Sequence, residues 1–160
     1  MNKKILIKSK LLFKIYLLYF SLKYKFQKKR KTYSQFKEDL LIKSFFGNYI
    51  GKYVDIGCYH PIKYSNTLLL HQSGWKGINI DLNQTSIDLF QVTRKNDKNI
   101  MACLSDKREI VTVYMDSQFS ALNSVNLDNL KNFQLDKIKK LTIETKIFSD
   151  LVKDNFDFLN

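Results

Sequence analysis

The stretch "YVDIGCYHPIKYSNT", residues 53 to 67, sets an apolar run ahead of an acid, a glycine and a polar cluster, and a second acid, Asp81, ends "WKGINID" 24 residues beyond Gly57. Gly57, directly after the apolar run, lets the backbone turn tightly and approach a flat or polar ligand without a Cβ in the way. Asp81 stands where a carboxylate can accept hydrogen bonds from both hydroxyls of a ribose. Together they suit an adenosine-containing cofactor. The turn "GCYHP" lacks the repeated glycines of G-x-G-x-x-G, so a pyrophosphate finds a poor backbone cradle, which weakens a nicotinamide-dependent oxidoreductase. Asp55 beside that turn repels phosphate but can bind an ammonium group. S-adenosylmethionine has the amino acid and the ribose and lacks the pyrophosphate.

The surrounding pattern must bring these residues to one place. Residues 34 to 46 hold apolar side chains near helical spacing, with Ser34, Glu38 and Asp39 at the start and Gly47 at the end. "KYVDIG" is a strand, "LLLHQSG" a short helix with Ser65, Asn66 and Thr67 as capping candidates, and "WKGINID" a second strand. "NQTSIDLFQVTRKND" is a second helix with Thr85 or Ser86 as its cap, and "NIMACLS" a third strand. Strands that are apolar rather than alternating, separated by helices, argue for an α/β fold with a parallel sheet covered on both faces. "REIVTVYM" and "KLTIETKIF" alternate better and suggest an antiparallel addition; the polar stretch between them has no clear pattern. Ligands of such sheets collect at the carboxyl ends of the strands. That rule puts Asp55, Gly57, Cys58, His60, Asp81, Asn83, Cys103, Ser105 and Asp106 on one rim.

In order, "SQFKEDLLI", "GKYVDIGCYHPIKYSNTLLL", "GWKGINID" and "RKNDKNI" follow the pattern of FkbM-type S-adenosylmethionine-dependent methyltransferases. The chain resembles that family closely from Tyr33 to about Leu104 and loosely beyond. The resemblance implies a Rossmann-like class I methyltransferase sheet and O-methylation of a hydroxyl, on a sugar or glycan or a natural product. It matches Asp55 and Gly57 to the cofactor motif after the first strand and Asp81 to the ribose-binding acid, although the family often has Glu-Pro at Asp81-Leu82. Cys58 stands where alanine is common, and Ser105 joins the expected cofactor set from the rim. Gln35, Glu38 and Asp39 match a motif that closes over the cofactor; an ordinary acidic helix start explains the two acids equally well. Asn66 and Thr67 are either caps or ligand-facing residues.

Methyl transfer is an in-line displacement in which a neutral thioether leaves, so alignment matters most and a base can assist. His60 and Asp106 are the candidate bases, although a lone turn histidine is more often a packing residue. Class I topology would place the second strand between the first and third, holding Cys58 and Cys103 about 9 to 10 Å apart, beyond disulfide reach. Both are expected to be free thiols, and two cysteines in these contexts suggest no zinc site.

At 160 residues the chain suits one globular domain. The net charge of +12 is uneven: residues 1 to 31 hold eleven lysines and arginines and no acid, leaving 16 basic and 15 acidic residues from Thr32 onward. Residues 1 to 31 are therefore a basic tail and residues 32 to 160 a near-neutral body, which argues against nucleic-acid binding. The tail's apolar stretches are broken by Lys8, Lys10 and Lys14, too short to span a bilayer and without a cleavage site. It reads either as a basic amphipathic segment for an anionic membrane surface or partner enzyme, or as a solvated lysine-rich helix. The expected location is cytoplasmic, with the tail peripheral at the inner face of the membrane.

By the family resemblance, "NFDFLN" begins a fourth core strand lying beside the first, and further elements usually follow it. A fragment ending there would have an apolar edge, marginal stability and an incomplete substrate site. The reading from a different class is a non-catalytic Rossmann-like scaffold whose tail binds a membrane or an acidic partner.

Overall fold

The computed structural model describes residues 9–26, 30–115, 123–126, 128 and 138–160. Its main sheet holds β1 (Lys52–Ile56), β2 (Lys76–Asp81), β3 (Lys98–Met101) and β8 (Phe158–Leu159), in the order β3-β2-β1-β8 and parallel throughout. Helices α1 (Lys10–Lys25) and α2 (Glu38–Phe46) precede β1, while α3 (Leu68–Gln72) and α4 (Gln84–Thr93) connect the first three strands. This is an α/β architecture flanked by helices, compatible with a Rossmann-like fold.

Register explains how the sheet presents its side chains. Val54 pairs with Ile78 and Ile56 with Ile80, which in turn lies beside Ile100. Val54, Ile80, Ala102 and Val152 form one core, completed by Phe148 and Leu151 of α5 (Phe148–Leu151). The opposite face is polar: Asp55 pairs with Asn79, which pairs with Asn99, and Tyr53 lies against Gly77. A Cβ at Gly77 would overlap the Tyr53 ring. The inner strands therefore alternate, contrary to the expectation of apolar runs on both faces. Alternation survives burial here because the polar groups bond to one another and to the loops above them.

Several boundaries differ from expectation. Helix α2 begins at Glu38 rather than near Ser34, because residues 32 to 37 wrap around buried Asp39, which accepts from Thr32 Oγ1, Tyr33 N and Ser34 Oγ, each at 2.7 Å. Asn83, not Thr85 or Ser86, caps α4, its side chain accepting from Thr85 N at 2.9 Å. The stretch "NIMACLS" is two strands. After β3 the chain leaves the sheet at Ala102, whose N–H donates to the Asp81 carbonyl, and β4 (Cys103–Ser105) joins a second sheet.

That second sheet runs β4-β7-β5-β6, with β5 (Ile110–Met115), β6 (Asn123–Ser124) and β7 (Lys139–Ile147). The pairing of β5 with β7 is antiparallel, as their alternation suggests, whereas β4 and β7 are parallel. Most of the patternless stretch between β5 and β7, residues 116–122, 127 and 129–137, lies outside the described residues.

The basic tail joins the body. Ser9 caps α1, Phe20 is buried, and Ser21 Oγ donates to the Val92 carbonyl of α4 at 3.2 Å. Tyr24 packs with Tyr33, Leu68 and Leu69. Residues 1–8 and 27–29 of the tail lie outside the described residues.

Candidate functional site

The site begins with the turn that leaves β1. Gly57 has φ +68°, a conformation that favours glycine, and its N–H donates to the Ile80 carbonyl at 2.8 Å. A Cβ there would meet open space, so the backbone angle selects glycine more than crowding does. Tyr59 and Tyr64 also have positive φ, and their rings stack with centroids 6.5 Å apart. Tyr59 N donates to Asp81 Oδ2 and Asn83 N to Asp81 Oδ1, both at 2.7 Å. One carboxylate thus ties the turns after β1 and β2 together.

A cavity of about 380 Å³ opens beside these turns at the carboxyl ends of β1 and β2. Asp55, Gly57, Cys58 and Asp81 form its floor, and Gln35 and Asn66 join them from flanking loops. Tyr59, Tyr64, Ser65, Leu82 and Asn160 complete the lining. It has two buried carboxylates and, among the described residues, no lysine or arginine. The electrostatic character favours cations and hydroxyl donors and opposes phosphate.

Both carboxylates are braced. Asp55 Oδ2 accepts from Thr67 Oγ1 at 2.6 Å and Oδ1 from Asn160 Nδ2 at 2.8 Å. Burial pushes the Asp55 carboxyl above its usual range, opposed by those two hydrogen bonds and by the Arg94 charge. Burial likewise raises Asp81, opposed by the Asn83 and Tyr59 amides and reinforced by Asp55. Each bonded oxygen keeps acceptor capacity for a ligand. The Cys58 thiol is pushed well up by burial and by the two acids, so it is a packing group rather than a nucleophile. Cys58 and Cys103 are both free thiols.

Behind this floor lies Arg94, fully buried. Its Nη1 donates to Tyr53 Oη at 2.8 Å and Thr67 Oγ1 at 2.9 Å; its Nη2 donates to the Pro61 carbonyl and Ser65 Oγ, both at 2.9 Å. Tyr53 Oη in turn donates to Asp97 Oδ2 at 2.6 Å, and Asn79 Nδ2 and Gly77 N also bond Asp97. His71 Nδ1 lies 3.3 Å from the same carboxylate, an ion-pair distance when protonated but not aligned as a hydrogen bond.

The structure gathers Asp55, Gly57, Cys58, Asp81, Gln35 and Asn66 at the cavity. Thr67 sits behind it, bonded to Asp55 instead of capping α3. Glu38 is outside, half-buried and accepting from Phe36 N at 2.8 Å. His60 is not part of the lining: its Nδ1 accepts from Ile62 N and Lys63 N at 3.0 Å, and its ring meets Phe20 of α1 edge-on. Ser105 and Asp106 bond each other at the surface, carried away from the rim when β4 joins the second sheet. Cys103 goes with them into a core with Val113 and Met115. Among the described residues no cluster of His, Cys, Asp and Glu is placed to hold a metal ion.

Sequence reasoning missed the two tyrosines, Ser65, Leu82, Asn160 and the arginine. Both tyrosines lie in the opening stretch, where an aromatic ring in a turn is an available signal. Compared with models of protein families, with curated proteins and with solved structures, the chain matches none.

Proposed function

We propose that the cavity is an S-adenosylmethionine site and that the chain is a methyltransferase-type domain acting on a hydroxyl of a sugar, glycan or natural product. The observation that carries this reading is the pair of buried acids, Asp55 and Asp81, at adjacent strand ends around a cavity that no cation lines among the described residues. S-adenosylmethionine brings an ammonium and a sulfonium, which suit Asp55, and ribose hydroxyls, which suit Asp81. A dinucleotide would bring a pyrophosphate into that negative field. The volume lies within the roughly 300 to 1,000 Å³ of small-molecule sites. The order β3-β2-β1-β8 supports the class I sheet, in which the fourth core strand lies beside the first.

Bound there, the cofactor would supply a methyl group activated for transfer. The chain's contribution is to bind and orient: Asp55 and Asp81 fix the two polar ends, while Tyr59 and Tyr64 offer aromatic surface at the rim. The placement of His60 against Phe20 and of Asp106 away from the cavity favours a second reading, a Rossmann-like scaffold that binds without catalysing.

Thermal unfolding with S-adenosylmethionine, NAD and ATP tests the proposal. At a hundredfold excess over Kd the right ligand adds about 2.7 kcal/mol. The expected result is a rise with S-adenosylmethionine alone; no rise, or an equal rise with NAD, removes the methyltransferase reading and leaves the scaffold.

A further inference from the structure

Helix α1 has two apolar faces, and the body covers one. Phe13, Tyr16, Leu17, Phe20 and Tyr24 are wholly or partly buried on the inner side. On the outer side, Leu11, Ile15, Leu18 and Leu22 are between 48 and 67 % exposed. Their i, i+4, i+7, i+11 spacing, at about 100° per residue, makes a continuous stripe about 60° wide. By the same steps Lys14 and Lys25 border the stripe on one side, and Lys23 stands on the other beyond exposed Tyr19 and Leu12. Helix α1 contains no acid.

We propose that α1 lies in the interface of an anionic bilayer, its outer stripe set among the acyl chains and its bordering lysines reaching the headgroups. Charge selects this occupant. A second copy packed stripe to stripe would bring the bordering lysines of both helices together with no acid on either helix to answer them, whereas anionic headgroups complement them. Sixteen residues rise about 24 Å, less than a bilayer's hydrocarbon core of about 30 Å, and none of the described helices is long and apolar enough to cross a membrane. The geometry is that of a helix lying on the surface. The same helix packs on the turn after β1: Phe20 meets His60, and Lys23 and Lys63 line a crevice of about 160 Å³ between them. Seating α1 on a membrane therefore holds the Tyr59 and Tyr64 side of the cavity close to that surface. The proposal is independent of which ligand the cavity takes.

The test is co-sedimentation of the full chain with vesicles of phosphatidylcholine alone and of phosphatidylcholine mixed with phosphatidylglycerol. The chain is expected to bind the mixed vesicles and to lose at least about tenfold in partitioning in the double variant Ile15→Glu, Leu18→Glu, with its circular-dichroism unfolding unchanged because both side chains face outward. A second variant, Lys14→Gln with Lys23→Gln and Lys25→Gln, is expected to weaken binding about fivefold per lysine while leaving the stripe intact. Absence of binding to the mixed vesicles, equal binding to neutral ones, or wild-type binding by either variant overturns the proposal. So does a dimer in light scattering that the glutamate variant dissociates, which would assign the stripe to a second copy.

Discussion

Arg94 and Asp55 are joined through a single hydroxyl: Thr67 Oγ1 donates to Asp55 Oδ2 at 2.6 Å and accepts from Arg94 Nη1 at 2.9 Å. Tyr53 plays the matching part on the other side, accepting from Arg94 and donating to Asp97. A buried guanidinium is thus held between two carboxylates, each one hydroxyl away. The arrangement sets the floor of the cavity on the same network that holds the polar face of the sheet.

Removing the guanidinium leaves two acids without their cation and four oxygen acceptors without a donor. Arg94→Met is expected to destabilise the fold by about 3 to 5 kcal/mol, read as a shift in the urea midpoint at constant slope. Arg94→Lys is expected to recover little, because a point charge cannot reproduce a fork that reaches Tyr53, Thr67, Ser65 and Pro61 together.

Thr67 separates a linking role from a capping role. Thr67→Val keeps the shape and removes the bridge, so a loss of about 1 to 3 kcal/mol is expected, with Asp55 titrating still higher. Thr67→Ser restores the hydroxyl and most of the stability. Were Thr67 merely filling space, valine would serve as well as threonine.

Stability should respond to pH through Asp55 and Asp97 in opposite senses. Burial leaves Asp55 above its unfolded pKa of about 3.9. The folded state then holds that proton more tightly, and stability falls as pH rises from about 4 through the folded value. Burial also acts to raise Asp97, but His71, Tyr53 and Asn79 outweigh it and leave the carboxyl below its ordinary value. Asp97 therefore adds stability above about pH 4 that is lost as pH falls through its folded pKa. Urea unfolding between pH 3 and 7 is expected to show a weaker decline toward neutral pH in Asp55→Asn and a loss of the acid-side rise in Asp97→Asn. Parallel profiles for wild type and both variants would contradict the assignment.

The inner strands and the two acids at their ends were legible because β-branched and aromatic runs closed by Asp and Gly have few alternatives. The rest depended on long-range partners. Arg94, inside "TRKND", looks like a solvated charge at a helix end until the fold brings Tyr53, Pro61 and Ser65 around it. Thr67 has the residue type of a cap, yet Asp55 takes its hydroxyl. Residues 100 to 104 of "NIMACLS" are continuously apolar, so nothing local marks Ala102 as the point where the chain changes sheets. Gly77 and Asn79 allow the strand face to be polar only because Tyr53, Asp97 and Asn99 meet them across the sheet.

Calorimetric titration of S-adenosylmethionine into the full chain and into Asp55→Asn tests the proposed role of Asp55 as a cofactor-facing acid. Saturable binding at one site per chain is expected, weakened at least about tenfold in the variant, as for loss of a charged hydrogen bond. No saturable heat with the wild-type chain, or equal affinity in the variant, would contradict it.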